Sequence, residues 1–200
     1  MPRLPVEVVA NVKKAREAAV LAVEIYNRPA TAFRSAAYIV LMIVAWTALF
    51  HAVFFRNRIK PYYRRKGSTR RYERVEGDYK TWELSECLQQ FYKDQNPAPR
   101  KNLEFFIDLR NKIEHRFLPE LDIEIFGECQ ALLMNFEALL AAEFGSKQAL
   151  VGGTTLCSPI LQDSRASTVG GDGGHSKATP PVGTQICYDL QILAIGGCTI

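Results

Sequence analysis

An arginine, an asparagine and a histidine occur together in the helix-like stretch DLRNKIEHRF. They are Arg110, Asn111 and His115, and His115 is one of only three histidines among the 200 residues. On a helix, Asn111 and His115 share a face because they are four positions apart, and the long side chain of Arg110 can reach over the same surface. Arginine binds phosphate through two parallel hydrogen bonds, and histidine transfers protons near neutral pH. These residue types therefore indicate a site for phosphate chemistry.

The same pattern also fits a solvated helix surface without a site. Glu114 lies four positions after Arg110, and a charge pair of that spacing beside a histidine is common on exposed helices. The spacing Arg-x(4)-His is also short enough to occur by chance in many chains. Both interpretations remain open on the residues alone, so the surrounding sequence has to decide between them.

A dense group of basic residues lies upstream of this stretch. The chain carries a formal net charge of only +4, but its positive charge is concentrated between residues 56 and 74, where Glu73 is the one opposing group. Tyr62, Tyr63 and Tyr72 lie among these cations, and arginines interleaved with aromatic rings suit the phosphates and bases of single-stranded nucleic acid. A solvated loop is the alternative interpretation. The predicted RNA-binding residues are Arg56, Arg58, Lys60, Arg64, Arg65, Lys66, Arg70, Arg71 and Arg74.

The positions of apolar residues predict five helices and no confident strand. Apolar side chains recur at three- and four-residue steps, which is typical of helices with one buried face. Thr81 is the predicted N-cap of the third helix, and Gly145 is the predicted end of the fifth. The fold class is therefore an all-α antiparallel bundle of four or five helices, with a basic loop at residues 56–80. The predicted helices span residues 6–26, 31–56, 81–92, 100–116 and 120–144.

The segment from Ala36 to Phe55 is long and apolar enough either to cross a membrane or to form the buried centre of a helix bundle. It carries no formal charge and has about the length of a membrane span. Basic residues stand on both sides of it, however, so charge gives no clear orientation in a membrane. The centre of a helix bundle also requires a helix that is apolar on all sides. A buried central helix is the favoured prediction, and a membrane anchor is the alternative.

The composition changes after Gly145. Residues 1–145 form the predicted helical domain, whereas residues 146–200 are rich in Gly, Ser, Thr and Pro and are predicted to be a linker or disordered tail. Of the five cysteines, Cys87 and Cys129 lie within apolar helical patterns, where a free cysteine behaves as a small hydrophobic residue. An odd cysteine count without a C-x-x-C pair favours a reducing, cytoplasmic location.

Two longer stretches place the arginine and histidine in a recognisable context. The element RNKIEH, near the end of a late helix in an all-α bundle, resembles the HEPN superfamily. Within that superfamily, AVEIYNRPATAFRSAAYIVLMIVAWTALFHAVF and FFIDLRNKIEHRF are similar to a family of uncharacterised proteins, DUF3644. The resemblance covers about residues 10–150. The Ile-Tyr-Asn-Arg-Pro block and the helix with Trp46 are its more specific parts.

The resemblance implies a function as well as a fold. HEPN domains are helical bundles that usually dimerise, and many are metal-independent endoribonucleases of toxin–antitoxin, phage-defence and CRISPR systems. Arg110 would stabilise the scissile phosphate, Asn111 would position it, and His115 would assist proton transfer as the 2′-hydroxyl attacks. The implied partners are RNA, a second copy of the chain, and an antitoxin or nucleotidyltransferase, with no cofactor. A non-catalytic module that binds nucleic acid or a partner protein is the second hypothesis.

The chain departs from the family pattern on the helix that carries Trp46. Members often have a glutamate directly after the tryptophan and a lysine four residues later, where this chain has Thr47 and His51. Without this glutamate and lysine, the chain lacks two charged groups that would support the site in other members. Their absence favours the non-catalytic hypothesis. A histidine on so apolar a helix is more often a packed core residue, and we do not assign His51 a catalytic role from the sequence.

Overall fold

The computed structural model describes residues 4–28, 31, 33–68, 70–115, 124–150 and 156, with the backbone alone at positions 114 and 115. All of these residues belong to one compact unit of the chain. Most of the predicted tail, including residues 157–200, therefore lies outside the described residues.

The prediction of an all-α fold is confirmed. Five α-helices account for most of the described residues, and the only strands among them form one two-stranded sheet. The described helix bounds lie within a few residues of the predicted ones, and the predicted end of the fourth helix and start of the fifth, at residues 116 and 120, lie outside the described residues. The helices are α1 Val6–Asn27, α2 Arg34–Arg56, α3 Leu84–Tyr92, α4 Ala98–His115 and α5 Phe126–Phe144.

The first two helices form an antiparallel pair with the most extensive helix contact in the domain. Tyr26 at the end of α1 meets Tyr38 near the start of α2, with ring centroids 5.2 Å apart. At the other end, Glu7 of α1 and Phe55 of α2 line one cleft. The buried face of α1 carries small residues at helical spacing, so the two backbones can approach closely. Its buried residues are Val8, Val12, Ala15, Ala19, Ala22, Val23 and Tyr26.

Helix α2 occupies the centre of the domain and packs against all four other helices. It is also the one described helix that is long and apolar enough to cross a membrane, with a mean hydropathy of 2.2 over its most apolar window. Of that window, 67% is buried inside the fold, and Trp46, Leu49 and Phe50 are almost fully enclosed. Such burial is what a helix that is apolar on all sides requires in a bundle.

The predicted basic loop contains more regular structure than its sequence suggested. Strands β1 Arg74–Val75 and β2 Asp78–Tyr79 pair antiparallel around a turn at Glu76 and Gly77, both of which have positive φ. Residues 61–65 pair with both neighbouring segments, through bridges that link Tyr62 to Thr81 and Arg64 to Tyr72. We call residues 61–68 and 70–82 the basic hairpin. Three segments thus hydrogen-bond to one another in a small closed unit.

The structure corrects the predicted start of the third helix. Thr81 is not the N-cap, because it pairs with Tyr62 as the last part of the basic hairpin. The helix begins at Leu84, and the N-cap position is occupied by Glu83, whose side chain makes no capping hydrogen bond. The end of α5 is confirmed, since Gly145 follows Phe144 with a φ of +85° that favours glycine.

The core extends past the predicted domain boundary at Gly145. A short 3₁₀ helix, Ser146–Gln148, follows α5, and the Arg16 guanidinium of α1 donates to the Gln148 side-chain oxygen over 3.3 Å. Leu150 and Leu156 are buried in the same core as the helices, at 6% and 2% exposure. The backbone N–H of Leu156 also donates to the Gln130 side-chain oxygen over 3.1 Å. The first residues after Gly145 therefore belong to the packed domain.

Candidate nucleic-acid site

Arg110 and Asn111 line a cleft of about 550 Å³ that we call the Arg110 cleft. Its walls come from α1, α2 and α4 and from the segment Thr81–Ser85, which runs from the end of the basic hairpin into α3. Ile107, Arg110 and Asn111 are spaced i, i+3 and i+4, so one face of α4 supplies its share of the lining. The other lining residues are Lys14, Val40, Ile43, Val44, Thr47, Thr81, Trp82, Glu83, Leu84 and Ser85.

His115 is the last residue of α4. Positions 114 and 115 follow Ile107 by seven and eight residues, so helical period places them on the face that lines the Arg110 cleft. The side chain of His115 lies outside the described residues. The structure therefore brings Arg110 and Asn111 together, and it sets the position of His115 on their helix face.

A second cleft of about 510 Å³ adjoins the first, and we call it the His51 cleft. The two clefts share Lys14, Thr47 and Thr81, so the polar surface continues from Arg110 to His51. Glu7 and Asn11 of α1 also line the His51 cleft. Lys14 thus places an exposed cation at the rim of both clefts, and Glu83 adds an opposing charge to the first.

Thr47 and His51, the two positions at which the resemblance implied a departure from the family pattern, both face this surface. Thr47 lines both clefts, and its hydroxyl donates to the Ile43 carbonyl of the preceding helical turn over 2.7 Å. His51 is only 8% exposed, and its Nε2 lies 2.9 Å from the Trp82 carbonyl oxygen, which can only accept. Nε2 therefore carries the proton, and His51 joins α2 to the end of the basic hairpin.

The surroundings of His51 disfavour its charged form. Burial lowers the pKa of His51 most strongly, and the nearby charge of Lys14 lowers it further. The hydrogen bond to the Trp82 carbonyl opposes both effects. A neutral ring that donates through Nε2 leaves Nδ1 as an acceptor. His51 thus combines the expected packed role with a place in the lining of a cleft.

The predicted RNA-binding cations differ in how they are held. Arg56 lies at the end of α2, and its guanidinium donates to both the backbone carbonyl and the side-chain carboxylate of Glu143. It also lies over the Phe144 ring, 5.2 Å from the centroid. These contacts join the ends of α2 and α5, so the structure gives Arg56 a structural role. The exposed members of the set are Arg58, Lys60, Arg64, Arg65, Lys66, Arg70, Arg71 and Arg74.

Three tyrosines, one from each segment of the basic hairpin, pack together beneath two of these arginines. The ring centroids of Tyr62, Tyr72 and Tyr79 lie 5.1 to 5.6 Å apart. The guanidinium of Arg64 is 4.4 Å from the Tyr72 ring centroid, and that of Arg74 is 4.7 Å from the Tyr79 centroid. The tyrosine cluster thus fixes cations and aromatic faces on one small scaffold.

Two of these features carry no signal in the sequence. Lys14 belongs to an ordinary charged stretch of α1, and its place beside Arg110 depends on the packing of α1 against α2. Tyr79 lies outside the basic group and joins the cluster only through the pairing of β1 with β2. Among the described residues, no group of three or more His, Cys, Asp or Glu side chains is placed to hold a metal ion.

One protein-family model matches the sequence of this chain over most of the helical domain. Residues 10–158 match the model described as "Domain of unknown function (DUF3644)", which covers α1 to α5 and the buried Leu150 and Leu156. The chain therefore belongs to the DUF3644 family. No curated protein and no solved structure matches the chain significantly.

Proposed function

We propose that this DUF3644 protein is a metal-independent endoribonuclease of the HEPN type. The observation that carries the proposal is the Arg110 cleft, where Arg110 and Asn111 lie on the α4 face that ends at His115. An arginine holds the charge that develops on a phosphate, and an amide hydrogen-bonds to its oxygens. His115 serves as the proton-transfer group when a 2′-hydroxyl attacks the phosphorus. The 5′-oxygen leaves, so the products carry a 2′,3′-cyclic phosphate and a free 5′-hydroxyl.

The proposal includes a homodimer in which two such clefts form one composite site. Val40 and Val44 of α2 line the Arg110 cleft and remain 38% and 36% exposed, although most of α2 is buried. Apolar side chains that are exposed beside a site offer a contact surface for a second copy of the chain. The partner's α4 would then contribute a second set of catalytic groups.

The basic hairpin is the proposed RNA-binding surface of this enzyme. Its exposed cations attract phosphates, and its tyrosine cluster provides aromatic faces for unstacked bases. Thr81 and Trp82 end the hairpin and also line the Arg110 cleft, so bound RNA can pass from one to the other. The proposed location is the cytoplasm, in a toxin or phage-defence system with an antitoxin or nucleotidyltransferase as a possible further partner.

Incubation of the purified chain with a mixed RNA pool in EDTA tests the proposal. We expect cleavage by the wild type and none by a His115→Ala variant. Cleavage that is equally fast in both would contradict the assignment of His115. Phosphatase treatment of the fragments before and after acid opening identifies the cyclic phosphate, because a 2′,3′-cyclic phosphate resists the phosphatase until its ring is opened to a monoester.

A second candidate function is a non-catalytic module that binds RNA. It is favoured by the basic hairpin, whose arginine–tyrosine contacts form without any participation of Arg110 or α4. It is also favoured by Thr47 and His51, where the family often has a charged pair. Salt-dependent RNA binding without any cleavage products would support this function over the enzyme.

A membrane anchor is the least favoured alternative. Helix α2 passes the length and composition test for a membrane span, but its contacts with the four other helices account for its apolar surface within the domain. Fractionation of expressing cells separates the two cases. Recovery of the chain in the supernatant without detergent is the result expected for a core helix.

A further inference from the structure

A third cleft, of about 580 Å³, lies between the basic hairpin and helix α3. We call it the hairpin cleft. Neither Arg110 nor Asn111 lines it, and the described residue that it shares with the Arg110 cleft is Trp82. The lining of the hairpin cleft combines aromatic rings and cations from the hairpin and the preceding loop with one carboxylate–amide pair from α3. A nucleotide presents the complementary set: a flat base, a negatively charged phosphate and a polar base edge.

Aromatic rings form the walls of the hairpin cleft. All four rings belong to the hairpin: Tyr62, Tyr63, Tyr72 and its last residue, Trp82. Contacts within the domain fix the rings in place: Tyr62 packs against Tyr72, and Trp82 meets Phe54 of α2 edge to face at 5.3 Å. Rigid aromatic faces bind an unstacked base with little loss of side-chain entropy.

Three cations occupy the side of the cleft that belongs to the hairpin and the preceding loop. Arg58 and Lys60 are exposed, and Arg64 lies over the Tyr72 ring. Phosphate groups of a bound strand would lie on this side, away from the carboxylate of α3.

The opposite side of the cleft carries a paired carboxylate and amide on α3. The Gln90 side-chain nitrogen donates to Glu86 Oε1 over 2.9 Å, which orients the half-buried carboxylate. Glu86 and Tyr63 line the cleft together. Burial is the main cause that raises the pKa of the Tyr63 phenol, and the charge of Glu86 acts in the same direction. A carboxylate at this position accepts hydrogen bonds and offers none.

We propose that the hairpin cleft binds a guanine base of single-stranded RNA, with the Glu86 carboxylate accepting hydrogen bonds from guanine N1–H and the N2 amino group. The inference rests on the proposed binding of RNA by the basic hairpin, and it is independent of cleavage at Arg110.

The hydrogen-bonding edges of the four bases explain the preference for guanine. Only guanine presents two adjacent donors on its Watson–Crick edge, and these match the two oxygens of one carboxylate. Adenine and cytosine place an acceptor beside their amino group, and uracil has a single N–H between two carbonyl oxygens. Each of those bases would bring an acceptor against the Glu86 carboxylate, which disfavours binding.

Titration of the full-length chain with the four 5′-mononucleotides tests the proposal, because mononucleotides cannot be cleaved. Trp82 fluorescence reports binding, since the other tryptophan, Trp46, is 1% exposed. Trp82 also lines the Arg110 cleft, so the Glu86→Gln variant is what assigns the signal to the hairpin cleft. We expect GMP to bind about tenfold more tightly than AMP, CMP or UMP, as for one bidentate base contact. A Glu86→Gln variant should lose this preference. A Glu128→Gln variant makes the same charge change at an exposed position of α5 outside the cleft lining and should keep it.

Equal affinity for the four nucleotides, no binding, or an unchanged preference in Glu86→Gln would overturn the inference. Calorimetric titration of both variants checks the affinities, and circular dichroism checks that both are folded. The result is separable from the nuclease proposal. Guanine preference without RNA cleavage would support guanine binding in the hairpin cleft and contradict the proposed nuclease. RNA cleavage without guanine preference would support the nuclease and contradict guanine binding in this cleft.

Discussion

His51 and Trp82 are joined by a hydrogen bond of 2.9 Å between the imidazole Nε2 and the backbone carbonyl, which ties the core helix α2 to the end of the basic hairpin. Trp82 lines the Arg110 cleft and the hairpin cleft, and His51 lines the cleft that adjoins the first. One buried side chain therefore holds the segment on which all three clefts depend.

The state of His51 predicts how stability depends on pH. Burial lowers the pKa of His51 in the folded chain below its usual value of 6.5, so the unfolded chain binds the proton more readily. The free energy of unfolding should therefore fall as pH decreases below about 6.5 and stay level above it, as far as this group is concerned. Urea denaturation at pH 7.5 and pH 5.5 measures the difference.

A His51→Gln variant is the control, because an amide can still donate to the Trp82 carbonyl but does not titrate. We expect it to lose less stability than the wild type between the two pH values. An equal loss in both proteins would show that His51 does not cause the dependence.

The contacts of Arg56 predict a role in stability and none in RNA binding. Its guanidinium is held by the Glu143 carbonyl and carboxylate, so an Arg56→Ala variant should be less stable by about 1–2 kcal/mol. Thermal denaturation checks this value, with Lys60→Ala as an exposed control that should lie within about 0.5 kcal/mol of the wild type.

The same two variants should show the opposite order in RNA binding. Lys60→Ala should reduce the slope of log affinity against log salt by about one unit, and Arg56→Ala should leave that slope unchanged. If Arg56→Ala had the stability of the wild type and a reduced slope of log affinity against log salt, Arg56 would belong to the phosphate-binding residues after all.

The tyrosine cluster predicts that the basic hairpin resists trypsin despite its many arginines. Each aromatic contact contributes on the order of 1 kcal/mol, and Tyr62 makes contacts with both Tyr72 and Tyr79. A Tyr62→Ala variant should open the hairpin and be cut between Arg64 and Arg74 much faster than the wild type. Mass spectrometry of timed digests gives the cleavage sites, and equally rapid cutting of the wild type would argue against a fixed hairpin.

Burial predicts that two cysteines do not react in the folded chain. Cys87 and Cys129 are both 0% exposed, and burial raises the pKa of the Cys87 thiol to about 12. Since the thiolate is the reactive form, a maleimide at pH 7.5 should leave both residues unmodified until urea is added. Peptide mapping of native and denatured samples reads this out, and native labelling of Cys87 would contradict the packing of α3 against α2.

The helices could be predicted from the sequence because the apolar residues of each helix repeat at the helical period within a short stretch of chain. In α1, the apolar residues that recur at three- and four-residue steps are the seven that are buried: Val8, Val12, Ala15, Ala19, Ala22, Val23 and Tyr26. In α4 the same spacing predicts Leu103, Phe106, Ile107, Ile113 and Phe117 as inward. Leu103, Phe106 and Ile113 are buried, Ile107 is half-buried, and Phe117 lies outside the described residues. A three- or four-residue repeat depends only on helix geometry, so distant parts of the chain do not alter it.

The basic hairpin could not be predicted because its stabilising contacts join distant segments. No alternation marks residues 61–82, and Tyr62 is held by a bridge to Thr81 and by the ring of Tyr79, which both lie well beyond its own segment. The role of Arg56 was hidden for the same reason, since Glu143 lies 87 residues away and the neighbouring cations look alike in the sequence. The candidate site was predicted in part: Arg110 and Asn111 line one cleft, but Lys14 reaches that cleft only through helix packing.

The most direct test of the proposed enzyme compares Arg110→Ala with Lys112→Ala in the full-length chain. Both variants remove one positive charge from the same stretch of α4, but only Arg110 lines the cleft. RNA cleavage in EDTA should fall by about 100-fold or more in Arg110→Ala, as for loss of a group that stabilises the transition state. Lys112→Ala should retain wild-type activity, and both should keep the thermal stability of the wild type within a few degrees. Equal cleavage by the two variants, or no cleavage by the wild type while RNA still binds, would contradict the proposed nuclease.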